Sequence, residues 1–179
     1  ALVGCAHIHT PGYCKKLNNR QDITVRYVWD NDLSRAEQYA AMLGGEVVNT
    51  VSRIWNDATT TVAIICSETV HHQSLVIGAA EAGKSIFVEK PLGLIAKDAY
   101  EMSTAIENSG VLFQTGYFMR GTPLHLFVKQ LIDQGSLGTV TRIRHTNCHN
   151  GSLRGIFDKE WRWMADPAQA GAGGYLDLG

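Results

Sequence analysis

Ser85–Ile86–Phe87–Val88–Glu89–Lys90–Pro91 joins an apolar run to a charged pair and a proline. The β-branched and aromatic residues of the run read as a strand buried on both faces, the pattern of a parallel sheet. Proline has no N–H to offer a central strand, so the strand stops before Pro91. Glu89 and Lys90 are therefore expected at the carboxyl end of the strand, where open α/β sheets bind their ligands.

The flanking sequence repeats the same alternation on both sides. Upstream, Thr61–Cys66 is a second buried strand running into Ser67–Glu68–Thr69–Val70–His71–His72, and an Ala-rich helix over 70–82 stops at Gly83. Downstream, a helix over 96–108 ends at Gly110 and a strand follows over 111–116. Nearer the start, Ala1–Val3 reads as the end of a strand, and helical spacing carries the chain to Asn19. Ile23–Trp29 alternates and ends in Asp30; Leu33–Leu43 is helical and closes on Gly44–Gly45, a C-terminal capping signal. Glu46–Val51 reads as a short strand. Strand and helix alternating in this way predict an α/β fold with a doubly wound parallel sheet over residues 1–118.

Beyond Gly116 the texture changes. Tyr117–Pro123 reads as a crossover, Leu124–Asp133 as an amphipathic helix, and Thr139–Cys148 as a strand with one exposed face. Residues 150–169 are polar and irregular around Trp161–Arg162–Trp163, and Gly171–Ala172–Gly173–Gly174 precedes Tyr175–Leu176–Asp177. Residues 119–179 are accordingly expected to begin a second unit. The chain opens as though a strand were already under way and stops equally abruptly, so it reads as incomplete at both ends.

With 179 residues the chain can bury a full core. A net charge of −1 offers no reason for a nucleic-acid partner or an anionic membrane, and no apolar run is long enough to span a bilayer. Lys15, Lys16 and Arg20 form a small basic cluster that reads as a solvated helix face. Cys5, Cys14, Cys66 and Cys148 are scattered without metal-ligand spacing, which points to reduced thiols and a cytoplasmic protein.

Gly4–Cys5–Ala6–His7–Ile8–His9 stands where a dinucleotide-binding loop, G-x-G-x-x-G, would lie between a first strand and its helix. Only Gly4 matches; Ala6 and His9 take the other two glycine places. Asp30 supplies the second half of such a fingerprint, an acid about 20 residues on that accepts hydrogen bonds from the adenosine ribose. An acid there repels a 2′-phosphate, so NAD is expected in preference to NADP.

These landmarks coincide in order along the chain: the loop with Asp30, Ser67 to His72, Glu89–Lys90–Pro91, Gly116 to Arg120 before Pro123, and the final glycine run. Together they resemble the Gfo/Idh/MocA family of NAD(P)-dependent oxidoreductases. The resemblance implies a Rossmann domain followed by an α/β domain with a mostly antiparallel sheet, assembly into a homo-oligomer (dimer or tetramer), and a sugar or polyol as substrate. It implies a hydride passing between the nicotinamide and a secondary alcohol, with Lys90 beside the reacting hydroxyl. Asp177 matches the start of the family's D-x-G-x-H motif, whose histidine, usually assigned as the base, would fall beyond Gly179. Three departures stand out: Ala6 in the loop, Ser67–Glu68–Thr69 in place of T-P-N, and the two histidines His7 and His9.

Removing a hydroxyl proton as hydride leaves carbon needs a titratable or charged group at that oxygen. Lys90 is the expected catalytic and substrate-orienting cation, and Asp177 the group that orients substrate and balances its charge. Gly4, Ala6, His7, Ile8, Asp30, Ser67, His72, Glu89 and Lys90 are the expected cofactor contacts. Tyr117, Arg120 and Trp163 are expected to line the substrate pocket, and Lys90–Pro91 is a candidate cis peptide.

Three other readings compete. A redox-cycling glycosidase, or a non-catalytic dinucleotide sensor, would keep the same fold. A metal-dependent hydrolase would use His7-x-His9 after a first barrel strand, with His71 or His72, Lys90 and Asp177 as later ligands.

Overall fold

A computed structural model describes residues 1–171 and Gly173. Six strands form one sheet: β1 (Leu2–Val3), β2 (Tyr27–Trp29), β3 (Glu46–Val47), β4 (Val62–Ile65), β5 (Ser85–Val88) and β6 (Phe113–Thr115). Every pairing is parallel and the spatial order is β3-β2-β1-β4-β5-β6. This is the order of a classic Rossmann sheet, with the direction of winding reversing between β1 and β4. The sheet is open, with β3 and β6 at its edges, so the closed barrel required by the hydrolase reading does not form.

Side chains alternate between two cores, as the period of a strand demands. On one side Val3, Tyr27, Ala63, Ile65, Ile86 and Val88 pack with Leu75 and Val76 of α4 (His72–Glu81) and Met102 of α5 (Ala96–Ser109). On the other, Leu2, Val28, Cys5 and Cys66 pack with Cys14 of α1 (Thr10–Asn18) and Ala36, Tyr39 and Ala40 of α2 (Leu33–Leu43). Each fully buried Val, Leu or Ile contributes about 1.5–3 kcal/mol relative to exposure, so both helical layers are held mainly by these residues. A four-residue α3 (Ser52–Trp55) adds Ile54 to the first core.

Helix ends follow the local signals. The Asp32 side chain accepts from Ser34 and Arg35 N–H to cap α2, and Gly44 closes it at φ 70°. Gly110 does the same for α5 at φ 66°. The Lys90–Pro91 peptide is cis, as anticipated.

Past the sheet, α6 (Pro123–Asp133) and α7 (Pro167–Ala170) are joined by turns and short 3₁₀ segments. The expected strand over 139–148 is absent, and every residue from Thr139 to Asn150 is exposed. A strand needs a neighbour to take its N–H and C=O groups, and no described residue pairs with this segment. No antiparallel sheet occurs among the described residues. No described helix is long and apolar enough to cross a membrane.

Candidate functional site

The carboxyl ends of β1, β4 and β5 lie around the reversal of winding, and several of the predicted residues stand there. Gly4 carries the chain out of β1 at φ 76°, with its N–H on the Trp29 carbonyl at 2.7 Å. A Cβ at this position would lie 2.4 Å from Ser67 Cβ and 2.5 Å from its Cα, so the two loops meet backbone to backbone. The loop runs through Cys5, Ala6 and His7, all buried, into α1, whose N-terminus has no side-chain cap and no acid in its first turn. That geometry suits a pyrophosphate, because the helix dipole favours an anion at its N-terminus.

Asp30, just beyond β2, is the hub of the adenosine end. Its Oδ2 accepts from Cys5 N–H at 2.5 Å; its Oδ1 accepts from Asp32 N–H at 2.7 Å and from Arg35 Nε and Nη2 at 3.0 and 2.8 Å. Arg35 Nη2 also donates to Glu68 Oε1 at 2.8 Å. Asp30 therefore ties the glycine loop to β2 as well as standing where a ribose would bind. Arg35 and Glu68 were not singled out in the sequence; the signal available was one helical turn between the capping Asp32 and a basic residue.

At the end of β5, Glu89 is fully buried. Its Oε1 faces His9 Nδ1 at 3.1 Å and the Tyr13 hydroxyl; its Oε2 accepts Lys90 N–H at 2.9 Å and lies 3.6 Å from His7 Nδ1. Burial pushes the Glu89 carboxyl up, but the His9 bond, the His7 interaction and the Tyr13 and Lys90 donors outweigh it and hold its pKa at about 2. Burial lowers His7 to about 3 in spite of Glu89, so the ring is neutral. Gly116 is required beside this cluster, since a Cβ there would fall 2.6 Å from Glu89 Oε2. Tyr13 escaped the sequence reading, although it follows His9 by one turn of α1 and so shares its face.

Lys90 is 9% exposed and lies on the wall of a cavity of about 700 Å³. Ile8, His9, Tyr117 and Arg120 line the same cavity, as does a set not foreseen that includes Asn147, His149 and Arg154. These last come from the irregular segment, whose position no local pattern announces.

Two expected contacts stand elsewhere. Trp163 is buried against the loop, its indole N–H on the Ala6 carbonyl at 3.2 Å, and it is not part of the cavity wall; Met164 takes that place. An indole N–H that leaves water must find an acceptor, and Ala6 supplies it. His72 is fully buried, with Nδ1 2.9 Å from the Pro91 carbonyl and Nε2 3.2 Å from that of Ser67, so it braces two loops and does not face the cleft. Asp177 lies outside the described residues.

His72 has a measurable consequence. Burial holds it below the ordinary 6.5, against the pull of the Pro91 and Ser67 carbonyls. The unfolded chain takes up a proton as pH falls through 6.5 while the native chain does not, so stability is full above that value and is lost below it. The expected contribution is at most about 1.4 kcal/mol per pH unit. Urea midpoints at about pH 7.5 and about pH 5.5 should differ less in His72→Gln than in the parent. Equal pH slopes in the two proteins would show that His72 titrates normally.

The comparisons with known proteins agree with this architecture. Residues 1–117 match the model of the Gfo/Idh/MocA family, described as an oxidoreductase family with an NAD-binding Rossmann fold. The chain is 37% identical over 105 residues to a scyllo-inositol 2-dehydrogenase (NAD(+)) of Bacillus subtilis (strain 168), covering 58% of this chain and 31% of the relative. It is 30% identical over 161 residues to a trans-1,2-dihydrobenzene-1,2-diol dehydrogenase of Oryctolagus cuniculus, covering 89% of this chain and 46% of the relative. The chain thus spans 31% and 46% of the lengths of these two relatives, less than half of each. Its fold also matches the crystal structure of a myo-inositol 2-dehydrogenase from Lactobacillus plantarum, with TM-score 0.76, 23% identity, and coverage of 98% of this chain and 51% of that one. On the match over residues 1–117 and the sheet that those residues form, the chain belongs to the Gfo/Idh/MocA oxidoreductase family.

Proposed function

We propose that this chain carries the dinucleotide site and part of the substrate site of an NAD(P)-dependent oxidoreductase acting on a secondary alcohol or ketone of a sugar, polyol or related small molecule. The observation that carries the reading is the shared cavity: Lys90, from the end of β5, and Ile8 and His9, from the loop after β1, line one space. When bound, the dinucleotide supplies a nicotinamide that exchanges hydride. The chain's own residues then hold the substrate oxygen. The Lys90 ammonium, itself 9% exposed, stabilises negative charge developing on that oxygen. Tyr117 and Arg120, which line the same cavity, bind and orient the remaining hydroxyls. Asp177 completes the set as the group that balances Lys90. The names of the relatives, an inositol dehydrogenase and a dihydrodiol dehydrogenase, favour a substrate with ring hydroxyls. In this reading residues 1–118 form the dinucleotide unit and 119–179 begin the substrate unit. A cytoplasmic homo-oligomer belongs to the same proposal and is checked by fractionation and light scattering.

NAD is favoured over NADP because Arg35, the cation at the adenosine end, is held between Asp30 and Glu68 with Nη2 2.8 Å from each carboxylate. A 2′-phosphate would have to take that guanidinium from two acids. The test is titration of both dinucleotides into the natural gene product, followed by tryptophan fluorescence. Tight NAD binding is expected, weakened in Asp30→Ser. Glu68→Gln, which loosens the hold on Arg35, should raise NADP affinity about tenfold, or about 1.4 kcal/mol. Failure of the parent protein to bind either dinucleotide would remove the reading.

A further inference from the structure

We infer that His7, His9 and Glu89 form a binding site for a single divalent transition-metal ion of the zinc type, at the junction of the β1–α1 loop and the end of β5. The inference rests on the geometry of the cluster and is independent of the oxidoreductase reading.

One ligand atom from each of the three residues lies within 4.8 Å of the other two, and among the described residues this is the one such group. Each imidazole stands beside a different oxygen of the Glu89 carboxylate, at separations near those within a coordination shell. His9 Nδ1 is 3.1 Å from Oε1 and His7 Nδ1 is 3.6 Å from Oε2. Ligands bound at 2.0–2.1 Å around a tetrahedral zinc stand about 3.3 Å apart. The chemistry of the set, two imidazoles and one carboxylate, suits zinc, cobalt or nickel better than calcium or magnesium, which prefer oxygen alone. Three protein ligands leave a fourth position open. His9, with 40% of its side chain exposed, sits on the cavity wall, so the cluster has an entry path and that position can face the cavity.

The state of His7 also points to a ligand. The ring is fully buried, and its Nδ1, the atom beside Glu89, accepts only a long contact of 3.3 Å from the His9 N–H, which a metal bond would replace. His9 itself occupies a place where a dinucleotide loop uses glycine. Around the three ligands stand the groups that orient a metal-bound carboxylate: the Tyr13 hydroxyl on Oε1 and the Lys90 N–H on Oε2. Without metal the same groups form a hydrogen-bonded clasp between loop and strand. The two states therefore make opposite predictions about stoichiometric binding.

The experiment uses the natural gene product without an affinity tag, stripped with a chelator and titrated with Zn²⁺ by calorimetry and with Co²⁺ by visible absorption. One equivalent of Zn²⁺ is expected to bind, and Co²⁺ should show the intense d–d bands of a tetrahedral N/O site. His9→Ala should weaken Zn²⁺ binding by about a hundredfold or more and abolish those bands. His9 is half exposed, so this variant is expected to fold, and its thermal melt and circular dichroism verify that. His71→Ala, at a half-buried histidine outside the cluster, should bind as the parent does. Absence of stoichiometric binding in the parent, or binding unchanged by His9→Ala, would overturn the proposal and leave the clasp.

Discussion

Gly4→Ala is expected to destabilise the protein by about 2–6 kcal/mol and to abolish dinucleotide binding. Two costs add at this position. An alanine at φ 76° occupies a left-handed conformation that L side chains rarely adopt, a strain of about 1–3 kcal/mol. Its methyl would also fall 2.4–2.6 Å from Ser67 Cβ, Cα and N, and backbone cannot swing aside as a long side chain can. Relief requires the β1 and β4 loops to separate, at a cost of about 1–3 kcal/mol for an overpacked contact. Separation would displace the loop whose Cys5 N–H holds Asp30 and whose His7 N–H holds the Cys66 carbonyl. Against a typical total of about 5–15 kcal/mol, the loss is a large fraction. Urea denaturation of Gly4→Ala and of Gly12→Ala, at a helical glycine with open space around it, makes the comparison. Similar midpoints for the two variants would show that the loops are not in backbone contact.

Lys90→Met is expected to lower kcat by about 10²–10⁴-fold while leaving the dissociation constant for NAD within a few-fold of the parent. Methionine retains the Lys90 backbone N–H that Glu89 Oε2 accepts, so that contact of the turn is kept. What the substitution removes is a cation on the cavity wall beside Ile8 and His9. A loss confined to kcat, with unchanged thermal stability, identifies Lys90 as the group that stabilises charge on the reacting oxygen. A change in KM alone would make it a binding residue, and retention of full kcat would assign the chemistry elsewhere. Lys90→Arg is the informative partner variant, since it keeps the charge but replaces a compact ammonium with a planar fork.

The parts of this protein legible in the sequence are those set by short-range physics. The apolar run over 85–88, its stop at Pro91, the glycines at 44 and 110 and the pattern of alternating strands and helices needed only propensity, periodicity and capping, and each returns as predicted. The placement of Lys90 at a strand end followed from the same local reading. The sheet order then brought together what no window of sequence contains: Glu89 reaches His9 across 80 residues because β1 and β5 flank β4. Trp163 finds the Ala6 carbonyl across 157 residues, a partner that no local rule could name. In the sequence Asp30 reads as a ribose acceptor or as part of a turn and N-cap, and only packing reveals that Arg35 and Cys5 N–H engage it. Conversely, the alternation over 139–148 has the pattern of a strand and forms none, because a strand exists only as a pair. Local chemistry determined the elements and their ends, whereas hydrogen-bond partners, burial and charge pairing were decided by register and sheet order, which are properties of the whole chain.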